Sequence, residues 1–231
     1  MGRNKKGDSD GVREFFWVLH LGFDLALWLA VISVLSVGAA LLAAHYWWHA
    51  DPVAGVEHLL GYYLAQTTDP ALARTCADGA YWSWFGWTGI DAAAREFALG
   101  LPASSAMGNI YRHTLFTNLY QPLTVAMMAM KLFGVRVAML AMAAPAFGMA
   151  LAAFLADGLA GRHIRREDGA NESATRYHRA KRWFTFGMIP LTAIIWLVAP
   201  VRIPLVGLFL PVTGFCALLI WNMAKYYKKY V

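Results

Sequence analysis

The sequence predicts an all-α, polytopic helical membrane protein with four transmembrane helices and an extracytoplasmic helical cap. Three observations lead there. Of 231 residues, 59% are hydrophobic and only 15% charged, whereas soluble domains run at about 45–50% and about 25%. Mean hydropathy is +0.45. Uncharged apolar runs of about 20 residues recur, each long enough to cross about 30 Å of hydrocarbon. The basic residues are also shared unequally between the connecting segments, as the positive-inside rule requires.

The first run is 25–44, LALWLAVISVLSVGAALLAA, extended at both ends by apolar residues, so a span over 15–48 is expected after a tail at 1–14. Its length favours an uncleaved anchor over a signal peptide. The second run is 137–156, and the span continues to 160. The third and fourth, 183–201 and 203–224, are separated by Arg202 alone, with Pro200 and Pro204 at the turn. That reads as a tight helical hairpin over 183–224, leaving a short tail at 225–231. Trp17, Trp47, Trp48, Trp183, Trp221, Tyr226 and Tyr227 fall near the ends of these spans, where amphipathic rings anchor at the interface.

Charge then sets the orientation. One side collects Arg3, Lys5, Lys6 and Arg13, then Arg162, Arg165, Arg166, Arg176, Arg179, Lys181 and Arg182, then Lys225, Lys228 and Lys229. These are 14 of the 20 basic residues. Both termini are therefore expected in the cytoplasm. Residues 49–136 lie outside. In that segment Asp51 is an expected N-cap with Pro52 at the first helical position. Residues 67–89, with Asp69-Pro70 and Asp78-Gly79, read as turns. Residues 91–99 read as a short helix. Residues 113–131, polar and interrupted by Pro122, are expected to lie along the outer interface or re-enter it. A crossing by this stretch, giving five spans, is the alternative.

Several candidate chemistries are weaker than their structural readings. His45 and His49 are four apart, and His20, His58 and His113 are further possible haem or metal ligands, but no cysteine or carboxylate cluster completes a site. Met127, Met128, Met130, Met139, Met142 and Met149 show no repeated ligand register, and methionine is an ordinary filler of apolar helices. Asp24 and Asp157 stand at span ends, where water is near, so a proton or ion path through them is the lesser reading. Ser33 and Ser36 belong to no nucleophile motif. Cys76 and Cys216 fall in a loop and a span and do not make a disulfide framework. No metal, no cofactor and no catalytic residue is expected. The net charge of +6 carries no nucleic-acid recognition motif with it and points to anionic membrane lipid.

Two features stand out as interaction surfaces. Ala144, Gly148, Ala152, Ala156 and Ala160 recur every fourth residue and put a smooth stripe on one helical face. In lipid, such close backbone approach drives helix packing, within this chain or with a partner, which includes a second copy of the chain. The basic hinge 161–182 sets Arg162, Arg165, Arg166, Glu172, Ser173, Tyr177, His178 and Lys181 at helical spacings. Such a set offers a polar docking face to a cytosolic protein, or holds lipid headgroups.

The hinge also carries a resemblance. Asp157-Gly158-Leu159, Arg162-x-Ile164-Arg165-Arg166, Glu172-Ser173 and Tyr177-His178-Arg179-Ala180-Lys181-Arg182 lead into an apolar hairpin. This order and spacing resemble a family of membrane proteins encoded in bacterial integrating conjugative elements, a domain of unknown function. The resemblance covers about 157–225, with Asn171 a departure. It implies an inner-membrane accessory subunit of conjugative type IV secretion. The implied partners are other secretion subunits, including the coupling ATPase, with no direct nucleic-acid contact and no enzymatic activity. A small transporter using Asp24, Asp157 and the stretch around Pro122, and a haem- or metal-binding redox subunit, are the competing readings.

Overall fold

A computed structural model describes residues 6–167 and 174–226, with the side chains of 6–18, Leu21, Arg166 and Ala174 outside the description. The described residues are helical and contain no strand. The helices are α1 (Lys6–Tyr46), α2 (Pro52–Gln66), α3 (Pro70–Trp84), α4 (Ile90–Ala98), α5 (Ala106–Tyr111), α6 (Thr117–Glu167), α7 (Ala174–Arg182), α8 (Ile189–Val198) and α9 (Leu205–Lys225). π-helical turns at Arg112–Phe116 and Trp183–Met188 join α5 to α6 and α7 to α8.

Three helices are long and apolar enough to cross a membrane: Gly22–Tyr46, Ala106–Arg165 and Leu205–Lys225. The hairpin turn falls as expected, at residues 199–204 between α8 and α9. α8 itself has 10 residues, too few to cross alone. The preceding π turn keeps helical dihedrals at both ends, so the apolar helix runs from Trp183 to Val198.

α6 is the axis of the molecule. Its first half packs on α1, α2 and α3, and its second half on α8 and α9. Residues 113–131 are not a separate segment. They run without a break into 137–160, and the helical stretch Ala106–Arg165 holds 60 residues, about 90 Å at 1.5 Å per residue. Pro122 and Pro145 lie within α6, each costing it one backbone hydrogen bond.

Asp51 caps α2, accepting from the Ala54 amide at 3.0 Å, with Pro52 opening the helix. The expected short helix after Gly89 is α4. The expected turns over 67–89 are overturned. Asp69 accepts from the Ala71 and Leu72 amides, both at 3.0 Å, and so opens α3 instead of a turn. Asp-Pro suits a helix N-terminus as well as a turn, and tertiary packing decides between them. Here the packing is with α6. A Cβ at Gly134 would collide with the backbone of Cys76 and Ala77, so glycine permits the two helices to touch backbone to backbone. Beyond α3, Gly89 (φ 72°) and Gly100 (φ 68°) take left-handed turns around a small aromatic core in which Phe97, Phe116 and Tyr120 pack together.

Candidate functional site

Two polar groupings interrupt the apolar packing. The first surrounds Arg136, which α6 delivers into the core with no exposed surface. Its guanidinium donates to the Leu197 carbonyl at 3.3 Å, the Tyr63 hydroxyl at 3.3 Å and the Val201 carbonyl at 3.5 Å. The cation also lies 4.6 Å from the centre of the Tyr63 ring. Tyr63 donates to the Val201 carbonyl at 2.9 Å and accepts from the Ile203 amide at 3.2 Å. Ser36 of α1 donates to the same Leu197 carbonyl at 2.9 Å. The indole N–H of Trp196 returns a bond to the Arg136 carbonyl at 3.1 Å.

Leu197 lies in the last turn of α8, where carbonyls lack helical partners. Arg136 therefore places positive charge at the negative end of a helix dipole and satisfies its orphan acceptors. The grouping ties α1, α2, α6 and the α8–α9 turn into one node. Among the described residues no carboxylate forms an ion pair with Arg136. Sequence reasoning counted this arginine as an outer loop cation. The available signal was a lone arginine within the uninterrupted apolar run 132–147, which demands buried acceptors.

The second grouping lies at the C-terminal end of α6, where the hinge meets the end of α9. Asp157 accepts from the Trp221 indole at 2.7 Å. A Cβ at Gly158 would come within 2.7 Å of the Ala224 side chain and 2.8 Å of the Trp221 carbonyl, so α6 and α9 touch closely there. Arg165 donates to the Lys225 carbonyl at 3.3 Å, capping α9, and its guanidinium stands 4.3 Å from the Tyr226 ring centre. Arg176 of α7 approaches the same ring at 5.0 Å and donates to the Tyr226 hydroxyl at 2.6 Å. Tyr226 is thus shared by guanidinium groups from both sides of the hinge. Lys225 lies 4.2 Å from the Trp221 ring. Tyr226 and Trp221 read from sequence as interfacial anchors; the structure gives both specific partners.

Of the residues predicted for docking, Arg162, Arg165, Tyr177, His178 and Lys181 are gathered at this end. Arg162 lines a cleft with Leu159, His163 and Glu167. His178 and Lys181 are exposed, and Tyr177 is half-buried beside His178. Glu172 and Ser173 lie outside the described residues, as does the side chain of Arg166. The small-residue stripe does not make the intrachain contact. Ala144, Gly148, Ala152, Ala156 and Ala160 are all exposed. The helix contact uses Gly158, two residues and so about 200° of helix from Ala156. Ala144 borders a small apolar cavity with Ile189, Thr192 and Phe209.

His45 and His49 line a wide cleft of about 740 Å³ with Tyr46, Gln121 and Pro122. Among the described residues no three His, Cys, Asp or Glu side chains are grouped to hold a metal ion. Asp24 pairs with His20 at 2.9 Å along α1. Cys76 and Cys216 are free thiols.

These features define an all-helical protein with three helices suited to crossing a membrane and a basic, aromatic-lined end to its long axial helix. The chain belongs to the DtrJ-like family: the family of the IncC plasmid conjugative DNA transfer protein DtrJ matches residues 47–228. The protein is thus a member of a conjugation-associated family, and the match spans both polar groupings except Ser36. No curated protein and no solved structure matches the chain.

Proposed function

We infer that the protein is a non-enzymatic accessory subunit of a conjugative type IV secretion machine, held in the bacterial inner membrane. The observation that carries this reading is the match to a conjugative DNA transfer family over residues 47–228. In the proposed arrangement α1, α6, the helix through Trp183 and Val198, and α9 cross the membrane. The 16 residues from Trp183 to Val198 rise about 24 Å, about 6 Å less than the hydrocarbon thickness, a shortfall that local thinning of the bilayer can meet. The uneven distribution of basic residues puts both termini and the hinge in the cytoplasm. Helix α3 and the first part of α6 border a shared cavity with Ala26, Leu29 and Ser33 of α1, so in this arrangement they lie beside the α1 span and not in a cap outside it.

The hinge docks a cytoplasmic subunit, the coupling ATPase being the favoured partner. Supporting this, its basic residues crowd onto one end of the molecule around Tyr226, and arginine there can clamp carboxylates bidentately. The test is capture of the tagged protein from mating donor cells in mild detergent, read by mass spectrometry. Stoichiometric recovery of secretion subunits is expected. Reversing charge at Arg165 and Arg166 together (R165E/R166E) should abolish that recovery while membrane insertion persists. Unchanged recovery by the double variant would sink the docking role.

A further inference from the structure

We propose that the face of the α7–α8 helix carrying Arg179, Arg182, Trp183 and Phe186 is a binding surface for anionic phospholipid headgroups. All four side chains are exposed, Trp183 to 54% and Phe186 to 80%. Residues 179, 182 and 183 fall within about 100° of one another around a helix. Ala180, on the other side of α7, is buried, and α7 packs against α9. Arg176 is engaged with Tyr226. The outward face therefore reads, in chain order, cation, cation, aromatic, aromatic, and then the apolar α8.

That order matches the profile of a bilayer leaflet, from phosphate to acyl chain. Arginines meet the phosphate layer, and tryptophan and phenylalanine enter the boundary beneath it. A soluble protein would need both carboxylates and an apolar pocket in this order, whereas a bilayer leaflet supplies phosphate and then acyl chain by its own profile. A headgroup layer satisfies all four. Lys181 projects about 100° from Arg182 and about 160° from Arg179 around α7, whereas His178 flanks Arg182 at i,i+4, so docking through Lys181 is separable from lipid binding.

This inference rests on α8 crossing the membrane. The experiment uses the full chain in nanodiscs of phosphatidylcholine, alone or mixed with phosphatidylglycerol. Phosphatidylglycerol should raise the thermal transition by several degrees in the wild type, and the shift should shrink as salt is added. R179Q/R182Q should lose the shift while matching the wild type in phosphatidylcholine alone. R179K/R182K should retain most of it, and K181Q all of it. A phosphatidylglycerol shift undiminished in R179Q/R182Q would overturn the proposal. So would loss of subunit capture in that variant with the lipid response intact, which would make the face a protein interface. In a Cys76→Ser, Cys216→Ala background, a polarity-sensitive dye on Phe186→Cys reports placement separately. A dye in water overturns the membrane arrangement. A dye in lipid without any charge-dependent shift overturns anionic recognition alone.

Discussion

Trp221 donates its indole N–H to the Asp157 carboxylate at 2.7 Å, joining the end of α9 to α6 where the basic hinge begins. The carboxylate that composition offered as a candidate proton carrier is thereby engaged in helix packing. A hydrogen bond to a charged acceptor contributes about 1.5–3 kcal/mol. We expect Trp221→Phe and Asp157→Asn each to lower stability in detergent by about 1–2 kcal/mol, the exposed position reducing the effect. The double variant should cost little more than either single one. Additive losses in thermal unfolding would show that the two side chains act independently.

The Arg136 node predicts a larger effect. Arg136→Met removes one donor each from the Leu197 and Val201 carbonyls, which keep Ser36 and Tyr63, and vacates the Tyr63 hydroxyl and ring, at a cost of about 1–3 kcal/mol. Tyr63→Phe removes one hydroxyl that donates once and accepts twice, at a cost of about 1–3 kcal/mol. Both should lower the unfolding temperature in detergent, and the pair should be strongly non-additive. A neutral Arg136→Met would mean that the node contributes little to stability.

Glycine substitutions separate the two faces of α6. Gly134→Val and Gly158→Val must push α3 or α9 away, and overpacking costs about 1–3 kcal/mol. A Cβ at Gly148 meets nothing within 4 Å, so Gly148→Ala should leave stability unchanged or raise it by up to about 1 kcal/mol. Comparing unfolding temperatures of the three variants is enough to decide. A large loss at Gly148 would put that face inside a contact which the single chain lacks.

Glu96 accepts from the Ser104 amide at 3.0 Å and from its hydroxyl, and these bonds hold its carboxyl below the usual carboxylate range. A depressed carboxylate stabilises the fold above its unfolded pKa, and that contribution fades as pH falls through the folded value. Ser104→Ala should raise the Glu96 pKa toward the ordinary range, read by NMR titration of the side chain. An unmoved titration would rule out the hydroxyl as a cause.

Length and apolar runs made the helical class legible, together with the α8–α9 turn at Pro200 and Pro204 and the Asp51 cap. Each is a local signal. The α3 helix was hidden because Asp-Pro and Asp-Gly are ambiguous locally, and the contact that decides, Gly134 against Cys76, spans 58 positions. Arg136 was hidden for the same reason, since its acceptors at Leu197 and Val201 lie about 60 residues away. The stripe from Ala144 to Ala160 was visible as a pattern, but the pattern cannot say which face of α6 meets α9. At the hinge, the cations were legible and their convergence on Tyr226 was not, because nothing near Tyr226 in sequence marks it as their shared partner.

The continuity of α6 has a mechanical consequence. Its two ends are connected by one strut, clamped near the middle by the α8–α9 turn through Arg136. It is also held by α3 at Gly134 and by α9 at Gly158. A displacement on the α3 side therefore reaches the hinge end through continuous, packed helix, with no loop between them to absorb it.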